Sequence, residues 1–371
     1  MMEPADESQL AEAVAAAVGP LCIKGGGTRP VGGRIEGETL STAAIKGITL
    51  YDPGALTVVV RAGTPLAEIE ELLAAEGQRL AFEPMDHRLL MGTKGTSTIG
   101  GVVAANVSGP RRIQVGACRD SLIGVRFVDG RGTIIKSGGR VMKNVTGYDL
   151  VKLMAGSYGT LGVISEVAFK VLPAPEATAS VVIHGLGDDA AVRAMARALS
   201  EPYDVSGAAH VPDGQNTLLR LEGFAESVSY RAGKLAAALS DFGDVEIVED
   251  REEVAEQWRN MRNVAAFSDS KGDVWRLSVK PSDAPAVVAR LDAHDVIYDW
   301  GGGLIWALVA AGTDLRPLLQ VPGHATLVRA SAATRAGVAT FQPEPAPLAA
   351  ISAGLRAQFD PRGILNKGMM G

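Results

Sequence analysis

Cysteine is nearly missing from this chain of 371 residues: only Cys22 and Cys118 occur, far apart in the sequence. Two thiols cannot hold an iron–sulfur cluster, which takes four ligands and lets histidine replace at most two of the cysteines. A disulfide is not expected in a chain with no export signal, so each cysteine reads as a small buried apolar residue. Histidine is scarce as well. His87, His184, His210, His294 and His324 show no i,i+4 pairing or other zinc-like spacing, and no structural metal is expected. Dense basic runs are absent and the net charge is −6, which argues against a general binder of nucleic acid or anionic membrane, because affinity for polyanions rests on clustered Lys and Arg. Apolar stretches are broken by Gly or charge well before the ~18–20 residues needed to cross a bilayer, so no transmembrane segment is expected. The start, Met1 to Glu7, is acidic and has no basic n-region, so no secretory signal is indicated. Two common nucleotide motifs are missing too. There is no G-x-x-x-x-G-K-[ST] loop, and Gly156, Gly159 and Gly162 have G-x-x-G-x-x-G spacing and run into a strand, whereas a Rossmann site needs strand, G-x-G-x-x-G and then helix.

What the chain does have is glycine, 44 residues of it, concentrated where strand-like runs end. Residues 98–111 contain almost nothing larger than valine for a dozen positions. Gly25-Gly26-Gly27 follow Ile23-Lys24, with a cation on either side, and a third glycine loop spans Gly156 to Gly162. Glycine presents bare N–H groups, and successive N–H groups in a turn form a concave anion site whose usual occupant is a phosphate. Three such loops within the first 165 residues point to one extended ligand held by backbone. On this reading, a side chain added at Gly26 or Gly101 takes the space of a phosphate oxygen.

Around the loops the pattern alternates strand and helix. Residues 5–18 read as an opening helix ended by Gly19-Pro20, and Leu21-Cys22-Ile23 as a strand. Thr57 to Arg61 is a strand, with Thr64 as candidate N-cap, Pro65 at N1, Leu66, Ile69, Leu72 and Leu73 on one apolar face and Gly77 at C′. Leu122–Val128 and Gly132–Lys136 read as two strands joined by an Asp-Gly turn. Thr146 and Asp149 form a candidate capping box. Pro173 and Pro175 mark the expected domain boundary. Beyond it, strands at 180–184, 218–222, 245–248, 274–280 and 304–309 alternate with helices at 190–199, 227–239, 252–263 and 285–294, which suits an α+β layer with an antiparallel sheet.

The order and wording of the glycine segments resemble the FAD-binding domain of the flavoenzyme family that includes vanillyl-alcohol oxidase, p-cresol methylhydroxylase, D-lactate dehydrogenases and glycolate oxidase. The residues that carry the resemblance are Gly25-Gly26-Gly27-Thr28, then Thr98-Ile99-Gly100-Gly101 with Ala104, Asn106, Gly109, Pro110 and Arg111, then Thr146 to Leu150 and Gly156 to Ile164. The resemblance implies an α+β protein: a two-part FAD-binding domain of the p-cresol methylhydroxylase type over 1–174, a substrate-cap-like α+β domain with an antiparallel sheet over 175–350, and a tail at 351–371 returning to the FAD domain. It further implies FAD as cofactor, held by Lys24, Gly25, Gly26, Gly27, Thr28, Arg29, Thr98, Ile99, Gly100, Gly101, Ala104, Asn106, Gly109, Pro110, Arg111, Gly159, Thr160, Gly162, Val163 and Ile164. Lys24, Arg29 and Arg111 are the expected counter-charges of the diphosphate. One departure is Tyr158, which stands where many relatives carry an acid.

Relatives that oxidise hydroxy acids usually carry H-x-G-D-G-N late in the cap, and this sequence lacks it. Its cap phrases, Trp275-Arg276-Leu277-Ser278, Trp300 to Trp306 and Gly323-His324-Ala325-Thr326 with Arg329, resemble the small FAD-binding (E) subunits of bacterial glycolate oxidases. That resemblance implies oxidation of a small 2-hydroxy acid, glycolate, within a complex that also holds a large flavin subunit and an iron–sulfur subunit. The expected location is cytoplasmic, with any membrane association supplied by partners. Arg276 and Arg329 are the candidates to hold the substrate carboxylate, since a guanidinium donates two parallel hydrogen bonds, and His324 is the candidate base.

Overall fold

The computed structural model describes residues 1–33, 35–139 and 147–370. Thr146, half of the expected capping box, lies outside them. Asp149, the other half, caps the helix Leu150–Met154, its carboxylate accepting from the Lys152 N–H at 3.2 Å.

The chain opens with the helix Glu7–Ala16, whose N-cap Asp6 accepts from the Gln9 N–H at 2.9 Å. It buries Leu10 and Val14 against Leu21, Leu40, Ile364 and Leu365, so the two ends of the chain share one small core. Leu21–Lys24 pairs in parallel with Glu38–Ser41, and the first glycine loop runs between them. Among the described residues, an antiparallel sheet follows in the order Ile48–Asp52, Thr57–Arg61, Val163–Lys170, Leu122–Val128, Ile134–Gly138. The helix Leu66–Ala75 buries Leu66, Ile69 and Leu73, each stabilising by roughly 1.5–3 kcal/mol relative to exposure. Gly77, at φ +62°, ends it in the left-handed conformation that a C′ residue takes. Thr64 does not cap this helix. Its hydroxyl donates to the Arg61 carbonyl at 2.7 Å and accepts from the Gly47 N–H at 3.0 Å, tying two strand ends together instead.

The second layer is an antiparallel sheet in the order Asp244–Val248, Ala177–His184, Asn216–Gly223, Gly207–Val211, Asp295–Asp299, Leu304–Val309, Asp273–Val279, Gly323–Arg329. The helices Asp188–Ser200 and Ala225–Leu239 cover one face through Ala191, Met195, Val228 and Leu235. Val182, Leu218, Ile297, Trp306 and Leu308 on the other face join the core of the first layer. Burial on both faces explains why Leu304–Val309 is apolar at every position. The strands Gly207–Val211, Asp295–Asp299 and Gly323–Arg329 are additions to the sequence reading. The helix expected at 285–294 is shorter, Ala284–Val288, because the chain turns at Asp292 (φ +48°) to enter the strand at 295.

Charge joins the two layers. Arg220, on the cap strand Asn216–Gly223, donates to both carboxylate oxygens of Glu83 at 2.9 and 2.8 Å. Arg111 donates to both oxygens of Glu222 at 2.9 and 2.6 Å, and Arg79 reaches Glu222 at 2.7 Å. Arg111 and Arg220 are each only 3% exposed. Burial alone would raise the Glu83 and Glu222 carboxyls, but Arg220 and Arg111 outweigh it and hold both well below the usual carboxylate range.

Removing one partner of a buried ion pair leaves the other charge uncompensated, so Glu222→Ala is expected to cost about 3–5 kcal/mol in denaturant unfolding. The sign for pH follows from the lowered carboxyls. Their contribution is complete above the unfolded value near 4.5 and is lost as pH falls from there through the lower folded values. Stability should therefore drop steeply below pH 4.5, and Glu222→Ala should flatten that slope.

Candidate functional site

The three glycine segments meet around one cavity of about 430 Å³. Its walls are residues 22–33, the segment 97–104, and Tyr158 to Ile164, with Asn366 and Met369 of the returning tail closing one side. Asn366 fastens that side: its Oδ1 accepts from the Ile23 N–H at 2.7 Å, and its Nδ2 donates to the Tyr158 carbonyl at 2.8 Å.

Two glycines are required for reasons other than phosphate space. A Cβ on Gly26 would lie 1.5 Å from the Thr96 carbonyl oxygen, because the first loop and residues 93–98 run back to back. The Thr93 hydroxyl, donating to the Thr28 carbonyl at 2.8 Å, joins them. Thr98 to Ala104 is also not a bare turn; Ile99–Ala104 is a short helix. Gly100 lets it lie against the strand Thr57–Arg61: its N–H donates to the Ala62 carbonyl at 2.8 Å, and a Cβ there would be 2.7 Å from the Ala62 side chain. Gly101 differs from both. Its missing Cβ meets only the Thr98 hydroxyl, at 3.4 Å, and the position lines the cavity.

Donors without partners face this space. The Thr98 hydroxyl and the Arg29 Nε are buried and unbonded, while the Arg29 Nη2 donates to the Gly101 carbonyl at 2.6 Å. Burial draws the Arg29 guanidinium below its usual value. A buried cation with a free N–H, a free hydroxyl and main-chain walls fit a diphosphate, whose oxygens accept from such groups without needing side-chain volume.

Of the residues expected around FAD, Lys24, Gly25, Gly26, Gly27, Thr28, Arg29, Thr98, Gly100, Gly101, Ala104, Gly159, Gly162, Val163 and Ile164 line the cavity. Six expected positions stand back from it. Ile99 is fully buried in the core, and Pro110 is buried as well. Asn106 accepts from the Arg119 N–H at 3.0 Å, Gly109 offers its carbonyl to the Trp300 indole at 3.1 Å, and the Thr160 hydroxyl donates to the Ser157 carbonyl at 2.7 Å. Arg111 is spent on Glu222 and Glu83, so it is not a counter-charge for a diphosphate.

The three cap candidates separate. Arg329 donates to the carbonyls of Phe267 at 2.6 Å and Ser270 at 2.7 Å, which makes it a clasp for that loop and not a free carboxylate receptor. His324 is exposed on the edge strand. Arg276 stacks on the Trp300 indole, 5.0 Å from the ring centroid, with Arg112 over the same ring at 4.5 Å, and it has no acidic partner within ion-pair distance among the described residues. Burial first, then Arg112, draws its guanidinium down to about 10. Trp300 is held there by an unusual turn: Trp300, Gly301 and Gly302 are all left-handed, at φ +54°, +66° and +99°. Asp299, whose carboxylate accepts from the Trp300 N–H at 2.7 Å, fixes its entry.

His87 and Met85 line the cavity without having been singled out as site residues in the sequence. They follow Pro84 in an irregular segment with no glycine and no periodicity, so no local signal marked them. Arg112 was likewise unmarked, and Trp300, quoted only within a cap phrase, was given no role; the two are brought together from separate layers.

Gly101→Val is expected to leave the loops in place and fill the cavity. The variant should retain no FAD after gel filtration, with far-ultraviolet circular dichroism unchanged; stoichiometric flavin would show that the cofactor lies elsewhere.

Comparison with known proteins agrees with this geometry. Residues 1–138 match the family described as FAD binding domain. The chain is 38% identical over 380 aligned positions to the glycolate oxidase subunit GlcE of Escherichia coli (strain K12), covering 100% of this chain and 99% of that one. It is 28% identical to the glycolate oxidase subunit GlcD of Bacillus subtilis (strain 168), over 76% of this chain and 59% of that protein. A D-lactate dehydrogenase of Anaerostipes hadrus is 35% identical, over 44% of this chain and 34% of its own. Among solved structures, an alkyldihydroxyacetonephosphate synthase superposes with a TM-score of 0.71, covering 98% of this chain and 76% of that one, at 16% identity that speaks for the fold alone. Likeness at 38% along the whole of both chains places the protein in the family of the glycolate oxidase subunit GlcE, FAD-dependent oxidoreductases with a p-cresol methylhydroxylase-type fold.

Proposed function

We propose that this chain oxidises a small 2-hydroxy acid, with glycolate as the leading substrate, at the mouth of the flavin cavity, and passes the electrons to partner subunits. The observation that carries the reading is Arg276, a guanidinium without an acidic partner next to the cavity. A buried or half-buried cation is costly when alone, and a substrate carboxylate supplies the missing charge and two parallel hydrogen bonds. On the same face of the cap sheet Thr326 stands opposite Arg276 in register, and Ser278 opposite His324, which gives the carboxylate end of a substrate polar surroundings. Thr98, Arg29 and the main chain of the three glycine segments are the proposed holders of the FAD diphosphate. When bound, FAD supplies the acceptor for the two electrons of the substrate C–H bond.

The proposal of partners rests on two supports. The relatives that resemble this chain are named as subunits of a glycolate oxidase. Two cysteines leave this chain unable to carry an iron–sulfur relay, so electrons that leave through such a centre need a chain that holds one, in addition to a larger flavin subunit. No helix among the described residues is long and apolar enough to cross a membrane.

Arg276→Gln is expected to retain FAD and to weaken binding of glycolate by about 10- to 100-fold, the loss of about 1.5–3 kcal/mol typical of a hydrogen bond to a charged group. Arg329→Gln should lower the thermal midpoint without that loss of affinity. With glycolate and an artificial electron acceptor, the lone chain should turn over slowly and gain activity when the flavin and iron–sulfur partners are added. A lone chain as fast as the complex would instead make it a self-sufficient oxidoreductase.

A further inference from the structure

His87 sits in the cavity wall, away from the exposed edge strand that carries His324. Its Nδ1 lies 3.2 Å from the Met85 carbonyl oxygen. A carbonyl can only accept, so Nδ1 carries the hydrogen and Nε2 is left as a lone-pair acceptor, with no hydrogen-bond partner among the described residues. The neighbouring carboxylate does not compete for the ring. Asp86 is committed to Arg88, receiving hydrogen bonds from its N–H, Nε and Nη2 at 3.0, 3.0 and 2.6 Å. The charged groups that act on the imidazole are then Arg29 from the first glycine segment, Arg276 from the cap strand Asp273–Val279, and the engaged Asp86. An acceptor nitrogen in the cavity wall thus feels both the proposed diphosphate counter-charge and the proposed carboxylate anchor.

We infer that His87 Nε2 is the acceptor of the hydroxyl proton when a 2-hydroxy acid is oxidised in this cavity, an inference that rests on the proposed reading of Arg276. The step balances as follows: the substrate O–H bond breaks and its proton moves to Nε2. The C–H bond on the same carbon breaks and its hydrogen leaves with both electrons to FAD, the oxidant. The oxygen lone pair closes the C=O bond.

Charge explains how the ring is poised. Burial first, then Arg29 and more weakly Arg276, pull the imidazole down to about 3, so the free protein keeps it neutral across the physiological range. A base that weak is a poor proton acceptor, since general-base catalysis works best with a value near the working pH. A carboxylate bound at Arg276 offsets the weaker of the two cations and so shifts the imidazole upward, with burial and Arg29 still holding it low. Substrate binding therefore strengthens its own base.

The test uses the FAD-loaded protein and His87→Asn, whose amide N–H still reaches the Met85 carbonyl while Nε2 is deleted. Oxalate serves as a carboxylate that cannot be oxidised. Anaerobic bleaching of the flavin by glycolate is expected to slow by about 100-fold or more. The oxalate affinity, read from the flavin difference spectrum, should stay within about twofold, which separates a proton acceptor from a wall residue. Imidazole nitrogen NMR, assigned by the peak that His87→Asn removes, should show an Nδ1–H ring that starts to protonate at higher pH when oxalate is added. Bleaching of His87→Asn at the parent rate, or a ring whose titration ignores oxalate, overturns the inference and leaves the carboxylate site standing. Oxalate binding to a parent flavin that no 2-hydroxy acid bleaches overturns the proposed oxidation, and with it the task of His87.

Discussion

Backbone against backbone is the constraint on which this structure depends. The first glycine loop touches residues 93–98 so closely that a single methyl group at Gly26 would overlap the Thr96 carbonyl, and Gly100 brings a short helix onto Ala62 in the same way. Main chain therefore forms the cavity walls, and main chain cannot be exchanged for another chemistry as side chains can. The polar groups left over, the Thr98 hydroxyl and the Arg29 Nε, are few and point to one kind of occupant. At Gly26 and Gly100 side chains are kept out so that one stretch of the protein's own chain can lie against another and line the cavity.

The cap is positioned by charge and not only by apolar contact. Arg220 with Glu83, and Arg111 with Glu222, cross between the layers, and each pair is bidentate and desolvated. Bidentate geometry fixes orientation as well as distance, so the network sets how the cap sheet faces the flavin cavity. Gly109 and Arg112 flank Arg111, and both touch Trp300, through the indole N–H and the ring face respectively. The same short segment thus anchors the contact between the two layers and the side chain of Trp300. Left-handed geometry at Trp300, Gly301 and Gly302 is strain of the sort kept at sites where a side chain must be aimed.

Electrostatics in the cleft are one-sided. Arg112 and Arg276 share the Trp300 ring, and among the described residues neither forms an ion pair with an acid, although acids are plentiful in a chain of net charge −6. The indole face stabilises both cations, and the positive charge favours an anion over a neutral alcohol. Asp299, pushed up to about 7 by burial, is only partly ionised near neutral pH and so offsets it in part.

Much of this protein was legible in its sequence because the information is local. Glycine runs that end strands, an apolar stripe from Leu66 to Leu73 closed by Gly77, and alternating patterns beyond Pro173 each report on a few neighbouring residues, and with the wording of the glycine segments they gave the cofactor and the fold class. Residue type there is dictated by φ and by space at the residue itself, so one sequence suffices to see it. Misreadings came where the deciding partner is distant. Arg111 looks like a phosphate ligand beside its glycine, yet Glu222 lies 111 positions away and claims it. Arg329 has the type and context of a substrate arginine, but the carbonyls of Phe267 and Ser270 fill its donors. His87 has no motif at all and gains its interest only from the cavity it lines and the arginines around it. Sequence determined which backbone can come close to a ligand, through steric limits on single residues; only the tertiary structure decided which charges remain free to meet one, since a charge is spent or spared by whatever long-range packing sets beside it.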